Sequence, residues 1–572
     1  MRGSARVGDR AALGVAALAI GALVVVPLVR LGRVLTEQRG SSLSRVLRGP
    51  GLADAATHTA LLVGTVPILA VTLGSATALL LRHTDLPLRG VLLVLVVLPL
   101  VVPQFVLGYS WSQAYGRGGF TDSLLGLHWT GLEGPVGVIV VLVIDTAPLS
   151  FLLTTAGLAT RAQPELEHAA RLSGAGGWTV LRTVSLPLLR PVFAAELALS
   201  FVATLESFAV PQVLGTPAGF STLTTRIYAD LALASDPDSF VDAVTLAAAL
   251  VVVAAVVLVP ADLVLAPKLR AARTAGAGGV RTALGGRGRG VAGALAISGY
   301  TVLAVGLPTV ALVAASVTRA VGLPPTPSNW TSANFRTALN APTIDAIGNS
   351  IWLAGCAAFA LTALGALVAA LERRRAGRAL GTAATLTFAI PGSALAVGLL
   401  IAYGRWLGGT LALILVAYLA KFLALAHRAA SGAVDRLPDA EWQAARTSGA
   451  RAAVAATTVW LPALGPALLA GWLLVFLGAL HEVTMSSLLY SADNQTLAVA
   501  VLNSQELGEV GTTAALSVVL TALMLGAGLP VWLGLRAMSR RRTGRARAQR
   551  AQRAQRAQRA LPLSTPETAG AR

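Results

Sequence analysis

Glu206, His481 and Glu482 lie in apolar stretches where ionisable side chains are costly. A carboxylate or imidazole at membrane depth must pair, meet a cation or face water. Glu206 and His481 stand at matched places in two halves of the chain, 275 positions apart, with Glu482 adjacent. The chemistry open to the three is to line or gate a translocation pathway. The alternative is hydration near the outer interface. Asp145 and Lys421 also interrupt apolar runs, and for them pairing between helices competes with a functional role.

Other chemistries lack their residues. No His-Glu-x-x-His or Gly-x-Ser-x-Gly sequence is present, so a membrane enzyme has no catalytic set, and no metal-ligand set is read. A phosphate-binding loop needs Gly-x4-Gly-Lys-Ser/Thr. The two lysines, Lys268 and Lys421, follow Pro267 and Ala420, so any ATP hydrolysis must reside on another chain. Cys356, the single cysteine, lies in an apolar run and reads as a small buried residue.

The elements that position these residues are set by composition. Hydrophobic residues make up 55% of the 572 and charged residues 12%, with a mean hydropathy of +0.71, which indicates an all-α integral membrane protein. The net charge of +19 is carried mainly by arginines between and after the apolar runs. That placement suits positive-inside topology and anionic lipid better than nucleic acid. Runs long enough to cross a bilayer fall near 11–28, 58–81, 90–111, 135–158, 191–213 and 241–266, then near 292–317, 350–371, 380–403, 409–428, 463–486 and 512–535. The first reads as an uncleaved span, because no small-x-small cleavage site follows it. About twelve helices result, as two homologous six-helix halves, 1–266 and 291–537. A Gly-rich basic linker, 267–290, joins them, and a basic low-complexity tail, 538–572, follows.

A polar segment between the fourth and fifth spans occurs twice, at 164–187 and 439–462. Ala169, Ala170, Arg171, Ser173, Gly174, Val184, Leu186 and Pro187 match Ala444, Ala445, Arg446, Ser448, Gly449, Val459, Leu461 and Pro462. Pro164 and Asp439 suit helix starts, and Gly174 and Gly449 suit left-handed helix ends. A second short helix is then expected to reach Pro187 or Pro462, where the chain turns into the fifth span. Arginines around 82–89, 161–190, 268–289, 373–378 and 428–451 fall on one side, which the positive-inside rule makes cytoplasmic along with both termini. Arg33, Arg39, Arg45 and Arg48 run against that rule.

The repeated segment resembles the EAA loop of ABC-transporter permeases, Glu-Ala-Ala-x3-Gly-x9-Ile-x-Leu-Pro. His168 and Gln443 stand at its Glu position, and Val184 and Val459 at its Ile position. The resemblance implies a type I importer permease with both halves fused. It implies that His168, Ala169, Ala170, Gly174, Leu186 and Pro187, and Gln443, Ala444, Ala445, Gly449, Leu461 and Pro462, couple to ABC ATPase subunits, expected as a homodimer. Residues 206–228 and 481–490 are similar to ferric-iron uptake permeases, which implies iron(III) as cargo, with thiamine, polyamine or phosphonate as alternatives. The family further implies a periplasmic or lipid-anchored binding protein, no cofactor on this chain, ATP used by the partner, and a bacterial inner-membrane location. A secondary transporter with two six-span halves would not need the matched loops.

Overall fold

The computed structural model describes residues 2–37, 51–83, 87–161, 164–234, 236–271, 287–372, 377–434, 439–531, 533, 534 and 536. Arg39, Arg45, Arg48, most of the linker 267–290, Arg373 and the tail 538–572 lie outside the described residues. Among those described the chain is helical, and its one extended pairing is an isolated bridge between Thr318 and Trp330.

Among the described residues, ten helices are long and apolar enough to cross a membrane. They are α1 (Arg10–Glu37), α2 (Leu52–Arg82), α5 (Pro135–Arg161), α7 (Gly177–Leu205), α8 (Asp238–Ala261), α9 (Gly290–Val317), α10 (Ala341–Glu372), α13 (Leu411–Val434), α15 (Ala463–Leu480) and α16 (Val510–Val531). The short helices α6 (Pro164–Leu172) and α14 (Asp439–Thr447) carry the repeated segment. Two further apolar stretches are bent pairs: α3 (Arg89–Val101) with α4 (Gln104–Leu125) at 102°, and α11 (Arg378–Ala389) with α12 (Gly392–Leu407) at 110°.

Proline sets both bends. Val102 and Ile390, the residues before Pro103 and Pro391, are extended, at ψ 127° and 115°. The pyrrolidine ring disfavours the α conformation in the residue ahead of it. Each second arm then starts directly after its proline. The sequence reading of 90–111 and 380–403 as plain spans missed these breaks, because hydropathy continues through them.

Proline acts differently at four other places. The π turns Gly21–Val25, Leu181–Ser185, Val302–Gly306 and Ala456–Trp460 each end two residues before a proline: Pro27, Pro187, Pro308 and Pro462. A widened turn accommodates the ring and the missing N–H without ending the helix. The chain therefore does not turn at Pro187, contrary to the sequence reading. Leu181, Ser185 and Leu186 keep helical angles, and α7 is continuous from Gly177 to Leu205. The expected span 191–213 thus begins and ends too late.

Within each half the second and fourth spans make the main helix pair, α2 with α5 and α10 with α13. The first spans are exchanged. α1 packs on α12 and reaches α10 and α11, while α9 packs on α3 and α4. Ala16, Ile20, Leu23 and Val24 belong to a core built otherwise from the second half, and Ala304, Val305 and Leu312 to one dominated by the first. Aromatic donors fix the exchange. Tyr403 donates to the carbonyl of Ala22 at 2.7 Å, Tyr115 to that of Leu303 at 2.6 Å, and Trp111 Nε1 to that of Ala304 at 2.9 Å. All three carbonyls lie in the π turns ahead of Pro27 and Pro308, where a proline supplies no N–H to meet them.

Candidate functional site

The residues singled out by chemistry gather where the two halves meet. Glu206 is the residue directly after α7, and its carboxylate forms an ion pair with Nζ of Lys421 from α13 of the other half. Glu482, two residues past α15, lies within the field of the same ammonium. Its carboxylate oxygens accept from the backbone N–H of Met485 at 2.9 and 3.1 Å, from that of Ser486 at 3.0 Å, and from Ser486 Oγ at 3.0 Å. Glu482 thereby caps the short helix Ser486–Leu489 and is held in place. His481 does not join them, since its Nδ1 lies 2.6 Å from the carbonyl of Leu477 on its own helix. All three residues follow the helix ends instead of lying within the fifth spans.

The fourth spans contribute Asp145 and Lys421, at the same distance from the start of each helix. Asp145 is ten residues past Pro135, and Lys421 ten past Leu411. The two do not take each other as partners. Gln104, the first residue of α4, donates from Nε2 to Asp145 Oδ2 at 2.9 Å, and Ser207 Oγ donates to Gln104 Oε1 at 3.2 Å. In the second half Gly392, the first residue of α12, takes the place of Gln104 at the bend. A Cβ there would stand 3.7 Å from Lys421 Nζ. Each half thus brings three elements to one point: the bend of the third span, the middle of the fourth and the end of the fifth. The first half fills that point with Gln104, Asp145 and Ser207, and the second with Lys421 and Glu482. The side chains of Lys421 and Glu206 keep 17% and 22% of their surface accessible, so neither is sealed within the seam between the halves.

A second cross-half layer lies in the loops after the fifth spans. Glu506 accepts from Gln212 Nε2 at 3.1 Å and from the hydroxyl of Tyr228 at 3.2 Å. Burial, and then the neighbouring Glu506 carboxylate, push the Tyr228 phenol up from its ordinary range, so it stays a neutral donor. Tyr228 ends a helix whose start is fixed by a reciprocal cap between Thr222 and Thr225.

The repeated loops have the same geometry in both copies. Gly174 and Gly449 each have φ +85°, in the left-handed region. Ala175 N–H reaches the carbonyl of Ala170 at 3.0 Å, and Ala450 N–H that of Ala445 at 3.1 Å. This is the Schellman closure expected of a helix ending in glycine. His168, Ala169, Gln443 and Ala444 are exposed, and Ala170 and Ala445 half-buried. Leu186 and Pro187 begin the segment Leu186–Leu205 within α7. Leu461 and Pro462 begin the helix Leu461–Leu480, and their side chains lie outside the described residues. Leu172 and Trp178 leave 90% and 72% of their surface uncovered beside α6, an unusual exposure for large apolar residues in a polar loop.

Several contributors were not read from the sequence. Glu167 is buried and accepts from Ser185 Oγ at 3.1 Å, which ties α6 to the base of α7. Gln104 and Glu506 were passed over as well, and Ser207, Gln212 and Tyr228 were read only as part of the stretch 206–228, without a role of their own. For Gln104 a signal existed, a polar side chain directly after a proline inside an apolar run.

The chain matches the family described as binding-protein-dependent transport system inner membrane component over residues 70–267 and 361–543. The ferric transport system permease protein FbpB of Actinobacillus pleuropneumoniae is 24% identical over 449 residues, which cover 75% of this chain and 63% of that protein. The probable ABC transporter permease protein y4fN of Sinorhizobium fredii is 26% identical over 90% of this chain and 92% of its own length. The Fe(3+)-transport system permease protein FbpB 2 of Haemophilus influenzae is 25% identical over 85% of this chain and 90% of its own. With two matched segments that together exceed half its length, the chain belongs to the family of binding-protein-dependent transport system inner membrane components.

Proposed function

We propose that this chain is the transmembrane permease subunit of an ATP-driven importer, with both permease halves on one polypeptide, and that its cargo is ferric iron. The observation that carries the coupling role is the pair of loops α6 and α14. The same left-handed glycine closes each, and their outer faces are exposed. They are to dock on two copies of an ABC ATPase subunit, and Leu172 and Trp178 give the first loop an apolar contact to bury. ATP binding and hydrolysis take place on that partner, and this chain binds no cofactor. A ligand-driven change needs contacts that differ between the two ATPase states, and the loops are where such a difference enters the membrane.

Ferric iron is supported by the names of two relatives, both ferric transport permeases, and by the charge of the central seam. Glu206, Glu482 and Asp145 set three carboxyl groups there against the one ammonium of Lys421. Such a seam suits a cation and opposes a phosphonate. A binding protein on the outer face, periplasmic or lipid-anchored, selects the cargo and delivers it near the layer of Gln212, Tyr228 and Glu506. The halves comprise residues 1–266 and 291–537, both termini are cytoplasmic, and the membrane is the bacterial inner membrane.

The test is uptake of radiolabelled ferric iron into proteoliposomes that hold the chain and its ATPase, with binding protein outside and ATP inside. ATP-dependent accumulation is expected. ATP turnover without iron movement would remove iron and leave the importer. Failure to associate with any ABC ATPase would remove the importer.

A further inference from the structure

Lys421 has one cross-half partner in the structure and a second carboxylate close by. Glu206, its partner, is the C-cap of α7 through its backbone N–H, leaves its carboxylate to Lys421 and belongs to the opposite half. Glu482, the second, belongs to the same half as Lys421. Three donors from Met485 and Ser486 fix its carboxylate, so it cannot follow a moving partner. At the bend of α11 and α12, a Cβ on Gly392 would stand 3.5 Å from Met485 and 3.7 Å from the ammonium, which places Lys421 beside the segment that Glu482 holds. Lys421 is therefore a long, flexible cation between a carboxylate on the far half and a fixed carboxylate on its own.

We propose that Lys421 is a movable internal counter-ion that latches the two halves through Glu206 and turns to Glu482 when they part, freeing Glu206 to meet a cationic cargo. This rests on the pathway reading above and adds the residue that closes the path and the charge type it admits. With the halves together, the ammonium neutralises Glu206 and fills the place a passing cation would take. With the halves apart, Lys421 would be left beside an apolar wall unless a second anion awaited it, because an unpaired charge at this depth is costly. Glu482 is that anion, and its three fixed donors hold it ready. The first half has no such device. At the matching depth it carries Asp145, satisfied by the neutral amide of Gln104 within its own half. The latch is therefore one-sided.

The two carboxylates make opposite predictions, which a merely structural cluster would not. The full chain is reconstituted with its ATPase, and passive entry of Mn2+ is read without ATP by quenching of entrapped calcein. Glu206→Gln and Lys421→Met break the latch, and each is expected to raise passive entry about tenfold or more. The exchange Glu206→Lys with Lys421→Glu restores a pair and is expected to bring entry back near the parent level. Glu482→Gln removes only the second seat. Passive entry then stays low while ATP-driven uptake falls.

Unchanged Mn2+ entry in both latch variants, or leakage that the exchange fails to reverse, would overturn the proposal. Should those variants not assemble, a conservative pair that keeps both charges decides. Glu206→Asp shortens the reach to the ammonium and is expected to raise passive Mn2+ entry several-fold, whereas Lys421→Arg keeps a long cation and is expected to leave entry near the parent level. Equal entry in the two would overturn the latch. Because Mn2+ entry is measured without binding protein or ATP, a failure of iron uptake alone removes the cargo and leaves the latch standing.

Discussion

The hydroxyl of Tyr403 donates at 2.7 Å to the carbonyl of Ala22, the oxygen that Pro27, five residues on, has no N–H to meet. Tyr115 and Leu303 repeat the relationship ahead of Pro308, where Trp111 adds a second bond through the neighbouring carbonyl of Ala304. A carbonyl with no donor inside a membrane costs roughly 1–3 kcal/mol. Tyr403→Phe is therefore expected to destabilise the seat of α1 by about that amount. Tyr115→Phe leaves the carbonyl of Leu303 unmet in the same way and should cost about as much, since Trp111 serves Ala304 instead. Thermal unfolding of both variants in detergent is the check, and an unchanged midpoint in either would contradict it.

Glu167 ties α6 to the foot of α7 through Ser185. Removing the carboxyl should loosen that joint without touching the exposed face that meets the partner. Glu167→Ala is expected to lower uptake per ATP hydrolysed several-fold while binding of the ATPase stays close to normal. Glu167→Gln keeps an acceptor for the serine hydroxyl and should lie near the parent. The ratio of transport to hydrolysis is the quantity to measure, and a fall in ATPase binding instead would place Glu167 in the docking surface.

Gly174 and Gly449 have nothing within 4 Å of where a Cβ would stand, so their substitution acts through backbone strain and not through collision. A side chain at φ +85° costs about 1–2 kcal/mol. Asparagine tolerates that region better than alanine. Uptake is expected to fall in the order parent, Gly→Asn, Gly→Ala at either site, and further when both sites are changed. Equal activity for alanine and asparagine at each site would argue against the left-handed closure as the cause.

The main helix pair of each half approaches closely at a glycine. A Cβ at Gly74 of α2 would lie 2.4 Å from the carbonyl oxygen of Ala147, and one at Gly365 of α10 would lie 2.8 Å from the carbonyl carbon of Ala426. Backbone cannot yield as a side-chain tip can, so the helices must separate. Small residues are what permit such contact between membrane helices. Gly74→Ala and Gly365→Ala are each expected to cost about 1–3 kcal/mol and to shorten the half-life of the folded protein in detergent. Gly64, on α2 with open space around it, is the control and should tolerate alanine.

Much of this arrangement is legible in the residues themselves. The 275-residue repeat places Gly174 and Gly449 in the same turn of two helices, and their left-handed angles follow from glycine at a helix end. The long apolar runs give the spans to within a few residues at most ends. The bends at Val102 and Ile390 escape a hydropathy reading, because that reading registers polarity and not backbone angle. Pro103 and Pro391 were the visible sign. Span count matters here: ten crossings would set α6 and α14 on opposite faces, whereas counting each bent pair as one gives twelve and sets them on the same face. The Glu206–Lys421 pair was not legible, since the two residues lie 215 positions apart and belong to different spans of different halves. No local pattern joins them. The exchange of first spans was hidden for the same reason.

That exchange has a consequence for biosynthesis. α1 leaves the ribosome well before its seat, which is formed by α10, α11 and α12, whose sequence begins more than three hundred residues later. Until then α1 waits in lipid with its packing face unmet, and the first half can be inserted without being finished. The order in which the helices enter the membrane is thus not the order in which they settle, and a nascent chain halted at the linker would hold a span with nowhere to go.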